Sequence, residues 1–167
     1  GREDLPHGPS TAGHFGEGAF TVADMQALNF EDVLAQILAR DPRYHRDAYC
    51  FLREALDFTQ KLIGKKSGKV ELRHVTGQEL LEGIRQYALQ QFGPLTMMVL
   101  NEWGVRRCED FGELVFNMIE HSLLAKTESD SRVDFQGGYD FHDAFRRPFT
   151  SSKKPAEPAG EPKTTSV

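Results

Sequence analysis

The sequence predicts a mainly α protein with a small β-hairpin, in which two N-terminal helices precede a winged-helix-like three-helix unit. Three observations carry that prediction. Apolar residues recur at steps of three and four through five segments, which is the spacing of one buried helix face. Residues suited to capping bound most of those segments. The last three are followed by "LLAK", a polar turn and "SRVDF", the order helix, helix, helix, strand, wing, strand. A plain helical bundle with a hairpin fits the same pattern.

The first helix is expected from Asn29, as cap, through "FEDVLAQILAR", with Phe30, Val33, Leu34, Ile37 and Leu38 on one face. Asp41 and Pro42 then suit the N-cap and first position of a second helix, because proline lacks only an N–H that would be unpaired there. Its stripe is Tyr44, Ala48, Leu52, Ala55, Leu56, Thr59 and Leu62, and Gly64 is read as its end. "VELRHV" reads as a short strand. Thr76 to Glu79 form a capping box, hydroxyl to N–H and carboxylate back, for a helix with Leu80, Leu81, Ile84, Tyr87, Ala88 and Phe92 inward. Gly93-Pro94 stops it, and a short helix "LTMMVLNEW" follows as far as Gly104, with Trp103 as a core anchor. "EDFGELVFNMIEHSLL" is the last helix, turning Phe111, Leu114, Val115, Met118 and Ile119 inward. In "TESDSRVDFQGGYDF", Thr127 to Ser131 suit a turn between strands, Gly137-Gly138 a backbone reversal, and Asp140 the cap of a last turn that docks Phe141 and Phe145.

The ends differ in composition. Residues 1–24 are rich in Gly, His, Pro and small polar residues, and 150–167 repeat Pro, Ala, Glu and Lys, so both are expected to be disordered. Between them a single globular domain is expected over 25–149: a helical pair at 29–64, the winged-helix-like part at 70–136 and a C-terminal clasp at 137–149. A 39% apolar composition is enough for one core. No run approaches about 18 apolar residues, so no membrane partner is expected, and two cysteines are too few for a disulfide scaffold. The expected location is the cytoplasm.

Several activities are argued against by spacing. "IGKKSGKV" has its glycines four apart, Val70 after Lys69, and helix-loop-strand order, the reverse of a phosphate-binding loop. In "DSRVDFQGG", Arg132 and Phe135 occupy positions where a calcium loop needs an oxygen ligand and a glycine. The six histidines show no zinc spacing. Cys108 stands at a helix start beside Arg106 and Arg107, which would lower its thiol pKa, but Glu109 and Asp110 oppose them and no partner base is marked. No catalytic residue, metal ligand or cofactor is therefore assigned. A net charge of −5, with Glu109, Asp110, Glu113 and Glu120 on the third helix of the winged-helix-like unit, disfavours DNA reading. A basic surface of Lys65, Lys66, Lys69 and Arg73 with Arg106 and Arg107 would serve nucleic acid only if folding gathered it.

The stretches "DPRYHRDAYCFLREALDFT", "RHVTGQELLEGIRQYALQQFGPLTMMVLNEWGVRRCEDFGELVFN" and "LLAKTESDSRVDFQGGYDFHDAF" resemble a family of small conserved hypothetical proteins of Verrucomicrobia and Planctomycetes. The resemblance spans about residues 29 to 147 and implies no activity, cofactor or catalytic residue; Cys108 departs from it, standing where a threonine-type cap is expected. It directs attention to the polar residues without a structural role in the sequence: Arg73, His74, Arg106, Asp130 and Arg132. The reading that follows is a non-enzymatic domain that binds a macromolecule, a protein or a second copy of itself. Nucleic-acid binding through the basic patch is the alternative, and a metal or enzyme site assembled from His74, His121 and Asp130 is a third.

Overall fold

The computed structural model describes residues 22–68, 74–125 and 131–150, with side chains from residue 29 onward. Five α-helices make up most of it: α1 (Val22–Arg40), α2 (Arg46–Ser67), α3 (Gly77–Phe92), α4 (Thr96–Glu102) and α5 (Cys108–Glu120). A 3-10 turn at Gly93–Leu95 joins α3 to α4, a second lies at Arg132–Phe135, and a π-turn at His142–Arg146 runs into a third 3-10 turn at Arg147–Phe149.

The mainly α prediction holds, and the described residues contain no strand. "SRVDF", expected as the second strand of the wing, is instead a 3-10 turn. Ser131 accepts the N–H of Val133 through its hydroxyl, while Asp134 accepts the Ser131 N–H at 2.9 Å, so a local capping box closes the turn. These side-chain bonds hold the backbone more cheaply than a strand that would need a partner. Residues 126–130 of the expected wing and 70–73 of the "VELRHV" strand lie outside the described residues, while His74 and Val75 are irregular.

Helix boundaries differ from expectation at several points. α1 begins at Val22, so Asn29 lies inside it and residues 22–24 belong to a helix rather than to a leader. Asp41 does not cap α2: its carboxylate takes two bonds from the Arg43 guanidinium and one from Asn117 on α5, and His45 caps instead by accepting the Asp47 N–H at 3.0 Å. α2 passes Gly64 and ends at Gly68, whose φ of 65° is the left-handed conformation of a helix C-cap. Thr76 and Glu79 do form the expected box, and Gly93 ends α3.

One apolar cluster runs from Phe30 on α1 to Phe145 in the π-turn. Its closest helix crossing is between α2 and α3, where a Cβ built on Gly83 would lie 1.8 Å from the Thr59 hydroxyl oxygen. Thr59 is buried and directs that hydroxyl to its own helix at the Ala55 carbonyl, so the crossing needs both a missing side chain on α3 and a self-satisfied one on α2. Phe51 forms the hub of an aromatic group, with Tyr87, Phe92 and Trp103 rings 5.4 to 5.8 Å away. Trp103 thus anchors α4 as expected.

The clasp also forms. Asp140 accepts the Asp143 N–H, Phe141 and Phe145 are buried with ring centres 5.0 Å apart, and Phe111 of α5 lies 5.8 Å from Phe141. Gly137 has φ 64°, and a Cβ on Gly138 would fall 2.7 Å from the Cys108 sulfur, so the Gly-Gly step permits both the reversal and the close approach. Tyr139 finishes the attachment by donating its hydroxyl to the Leu81 carbonyl at 2.8 Å.

Candidate functional site

The chemistry-bearing residues fall into three places. The first is a half-open cavity of about 240 Å³ between α2, the entry to α3, α5 and the 3-10 turn at Arg132–Phe135. Leu56, Leu80, Val115, Phe116, Ile119 and Leu124 supply most of its wall. His74, Gln60, Ser131 and Asp134 supply its polar groups, but the Ser131 hydroxyl and the Asp134 carboxylate are already engaged with the backbone N–H groups they cap. The turn is held in place by the Gln78 amide, which donates to the Asp134 carbonyl.

The second place is the α5 charge ladder. Asn117 is buried and donates to Asp41 at 2.9 Å and to the Tyr49 hydroxyl at 3.0 Å, tying the α1–α2 connection to α5. The Arg43 hydrogen bonds hold the Asp41 carboxyl well below the usual carboxylate range, against the opposing effect of burial. Arg43 and Arg132 both reach Glu113, at 3.3 and 3.6 Å, and Arg40 and Arg132 reach Glu120 at 3.9 and 3.5 Å. Arg132 also lies over the Phe116 ring at 5.2 Å. Glu113 and Glu120 are thus matched by arginines of the same chain. Arg132 is about half exposed, so each of its pairs contributes of order 1 kcal/mol or less.

The third place is the start of α5. Asp110 accepts the backbone N–H groups of Arg106 and Arg107 and the hydroxyl of Tyr44 at 2.7 Å, acting as a reverse cap. Burial and this bond both push the Tyr44 hydroxyl far up. Cys108 is buried against the Tyr139 carbonyl, and its thiol is pushed up to about 11 by loss of solvent, the opposite of an activated thiolate. The structure therefore gives Cys108 a packing role.

Of the five residues singled out from the sequence, His74 lines the cavity, Arg132 belongs to the ladder, and Arg106 lies at the α4–α5 turn with its Nε donating to Asn101 at 3.0 Å. Arg73 and Asp130 lie outside the described residues. His121 donates from Nδ1 to the Asn117 carbonyl at 2.9 Å and does not line the cavity with His74. Of the described basic residues, Lys65 and Lys66 are not gathered with Arg106 and Arg107, and Lys69, like Arg73, lies outside the described residues. Lys65 follows His45 by twenty residues of helix, about 30 Å, while the His45 N–H bonds the Trp103 carbonyl beside Arg106 and Arg107.

Sequence reasoning missed a cluster of Asp140, His142 and Asp143, whose ligand atoms lie within 4.8 Å of one another. All three are exposed, and Asp140 is engaged as the cap of the π-turn. Among the described residues no helix is long and apolar enough to cross a membrane. Compared with protein-family models, with curated proteins and with solved structures, the chain matches none.

Proposed function

We propose that the chain is a protein-interaction domain whose 240 Å³ cavity receives an apolar side chain of a partner protein. The observation that carries this reading is the cavity's size and lining. It exceeds the roughly 150 Å³ of an apolar cavity that takes up benzene, so a phenylalanine or leucine side chain is accommodated. It falls short of the roughly 300 to 1,000 Å³ usual for cofactors and drug-sized ligands. Apolar walls with a few polar rim groups match the anchor pockets in which protein interfaces concentrate their binding energy. A winged-helix-like origin for the α3–α5 unit, one domain over 25–149, membership of the family named above and a cytosolic location belong to the same proposal, resting on sequence pattern.

Nucleic acid is the weaker alternative, because Lys65 and Lys66 stand at the opposite end of α2 from Arg106 and Arg107, and Glu113 and Glu120 of α5 are paired with arginines.

The test is co-purification from the native cell with the wild-type chain and with Ile119→Glu and Leu124→Glu variants, each checked for an unchanged melting curve. A defined protein partner retained by the wild type and lost from both variants is expected. An unchanged set of bound proteins in both variants would refute the cavity as the binding site. Metal analysis of untagged protein separates the remaining alternative: stoichiometric metal would redirect attention to the exposed Asp140, His142 and Asp143 group.

A further inference from the structure

A second cleft, of about 510 Å³, opens between α4 and the clasp, and it differs in kind from the cavity above. Its apolar surface is Met97, Met98, Val105 and Phe141, and its charged groups are Arg106 and Arg146. No Asp or Glu lines it, although the whole chain carries a net charge of −5. Among the described residues neither arginine is ion-paired. Asn101 accepts from the Arg106 Nε at 3.0 Å, a bond that does not use the terminal nitrogens of the guanidinium. Met98 is 58% exposed and its neighbour Leu95 55%, so large unbranched and branched side chains stand in water beside the cleft. Met98 lines the cleft and Leu95 stands three residues before it, so apolar surface is exposed at the cleft and next to it in sequence.

We propose that this cleft binds an acidic amphipathic segment of a partner protein, with a bulky apolar side chain seated on the methionines and carboxylates paired to Arg106 and Arg146. The chemistry selects that occupant. Methionine side chains have soft, adaptable surfaces suited to aliphatic and aromatic anchors of varied shape. Planar guanidinium groups favour carboxylates through paired charge-assisted bonds. Two cations in an acidic protein are too few for a nucleic-acid track, where each phosphate contact needs its own. The proposal concerns a surface separate from the 240 Å³ cavity, so it stands or falls independently of the reading above.

The probe is a short fluorescent peptide with Leu and Phe at helical spacing among Glu and Asp residues, compared with the same peptide carrying Gln and Asn instead. Binding is followed by anisotropy and by the methyl NMR signals of the four methionines. The acidic peptide is expected to shift the Met97 and Met98 signals and to leave Met118, which is 1% exposed, in place. An Arg106→Gln/Arg146→Gln variant should weaken binding roughly tenfold or more, as should Met98→Glu, a change at an exposed position that leaves the core untouched. The proposal is overturned if neither peptide binds, if the neutral peptide binds as well as the acidic one, if the variants bind like the wild type, or if Met97 and Met98 do not move. A single-stranded oligonucleotide that binds more tightly than the acidic peptide overturns it also.

Discussion

Replacing Gly83 by alanine tests the closest contact in the fold. In an exposed helix the change would stabilise by about 1 kcal/mol, since alanine loses less backbone entropy than glycine. Here the new Cβ would stand 1.8 Å from the Thr59 Oγ1, 2.7 Å from its Cβ and 2.9 Å from its Cγ2. Restoring ordinary contact at 3.4 Å requires α2 and α3 to separate by about 1.6 Å, in a core packed as densely as an organic crystal. Overpacking costs about 1 to 3 kcal/mol, and this displacement belongs at or above the upper end, because the obstacle is a β-branched side chain with few rotamers. The expected net loss is about 2 kcal/mol, or about 5 to 10 °C in melting temperature. Urea unfolding followed by circular dichroism measures it. Adding Thr59→Ala removes Oγ1 and Cγ2 and leaves only the 2.7 Å approach to the Cβ, so the double variant should recover about 1 kcal/mol relative to the sum of the singles. Stabilisation by Gly83→Ala alone would refute the close crossing.

Three further outcomes follow from the contacts described. Phe141→Ala should destabilise by about 3 to 5 kcal/mol, more than Asp134→Asn or Asp140→Asn at about 0.5 to 2 kcal/mol, with the reverse ranking in melting experiments implying an unrecognised charged site. Asp41, whose carboxyl is depressed by Arg43, stabilises the fold fully above the ordinary value of 3.8 and loses that contribution as pH falls below it; unfolding midpoints of Asp41→Asn should therefore decline less steeply in that acid range than those of the wild type. Cys108 should resist a maleimide near neutral pH until denaturant is added, and mass spectrometry showing rapid native labelling at that position would contradict its burial and raised thiol pKa.

What could be read in the sequence was what short-range chemistry decides. The Thr76–Glu79 box, the Gly93-Pro94 stop, the Gly137-Gly138 reversal and the Asp140 cap each involve partners within a few residues, and each is present. Asp41 failed as a cap because Asn117, seventy-six residues away, and Arg43 claim its carboxylate. The 3-10 turn at 132–135 is legible through the Ser131–Asp134 spacing of a capping box, but the order of a winged helix makes "SRVDF" a strand. The sites were less accessible. Leu56, Leu80 and Ile119 each look like ordinary core positions in their own helices, and only the folded arrangement shows that together with Leu124, just past α5, they border a cavity. Likewise, nothing local to Arg106 announces Arg146.

The clasp has a bearing on how the chain is made. Phe135, Phe141 and Phe145 all follow α5 in sequence, yet they fill seats against Phe111 and the other helices. A ribosome releases α1 to α5 first, with those seats bare, and the growing chain then carries an uncovered aromatic surface until the Gly-Gly step has emerged. Holding factors that bind greasy nascent segments have their longest opportunity in that interval. A stall or frameshift shortly after residue 131 would leave Phe111 and its neighbours without the three phenylalanines that cover them, and quality control would meet a product marked for removal by that surface.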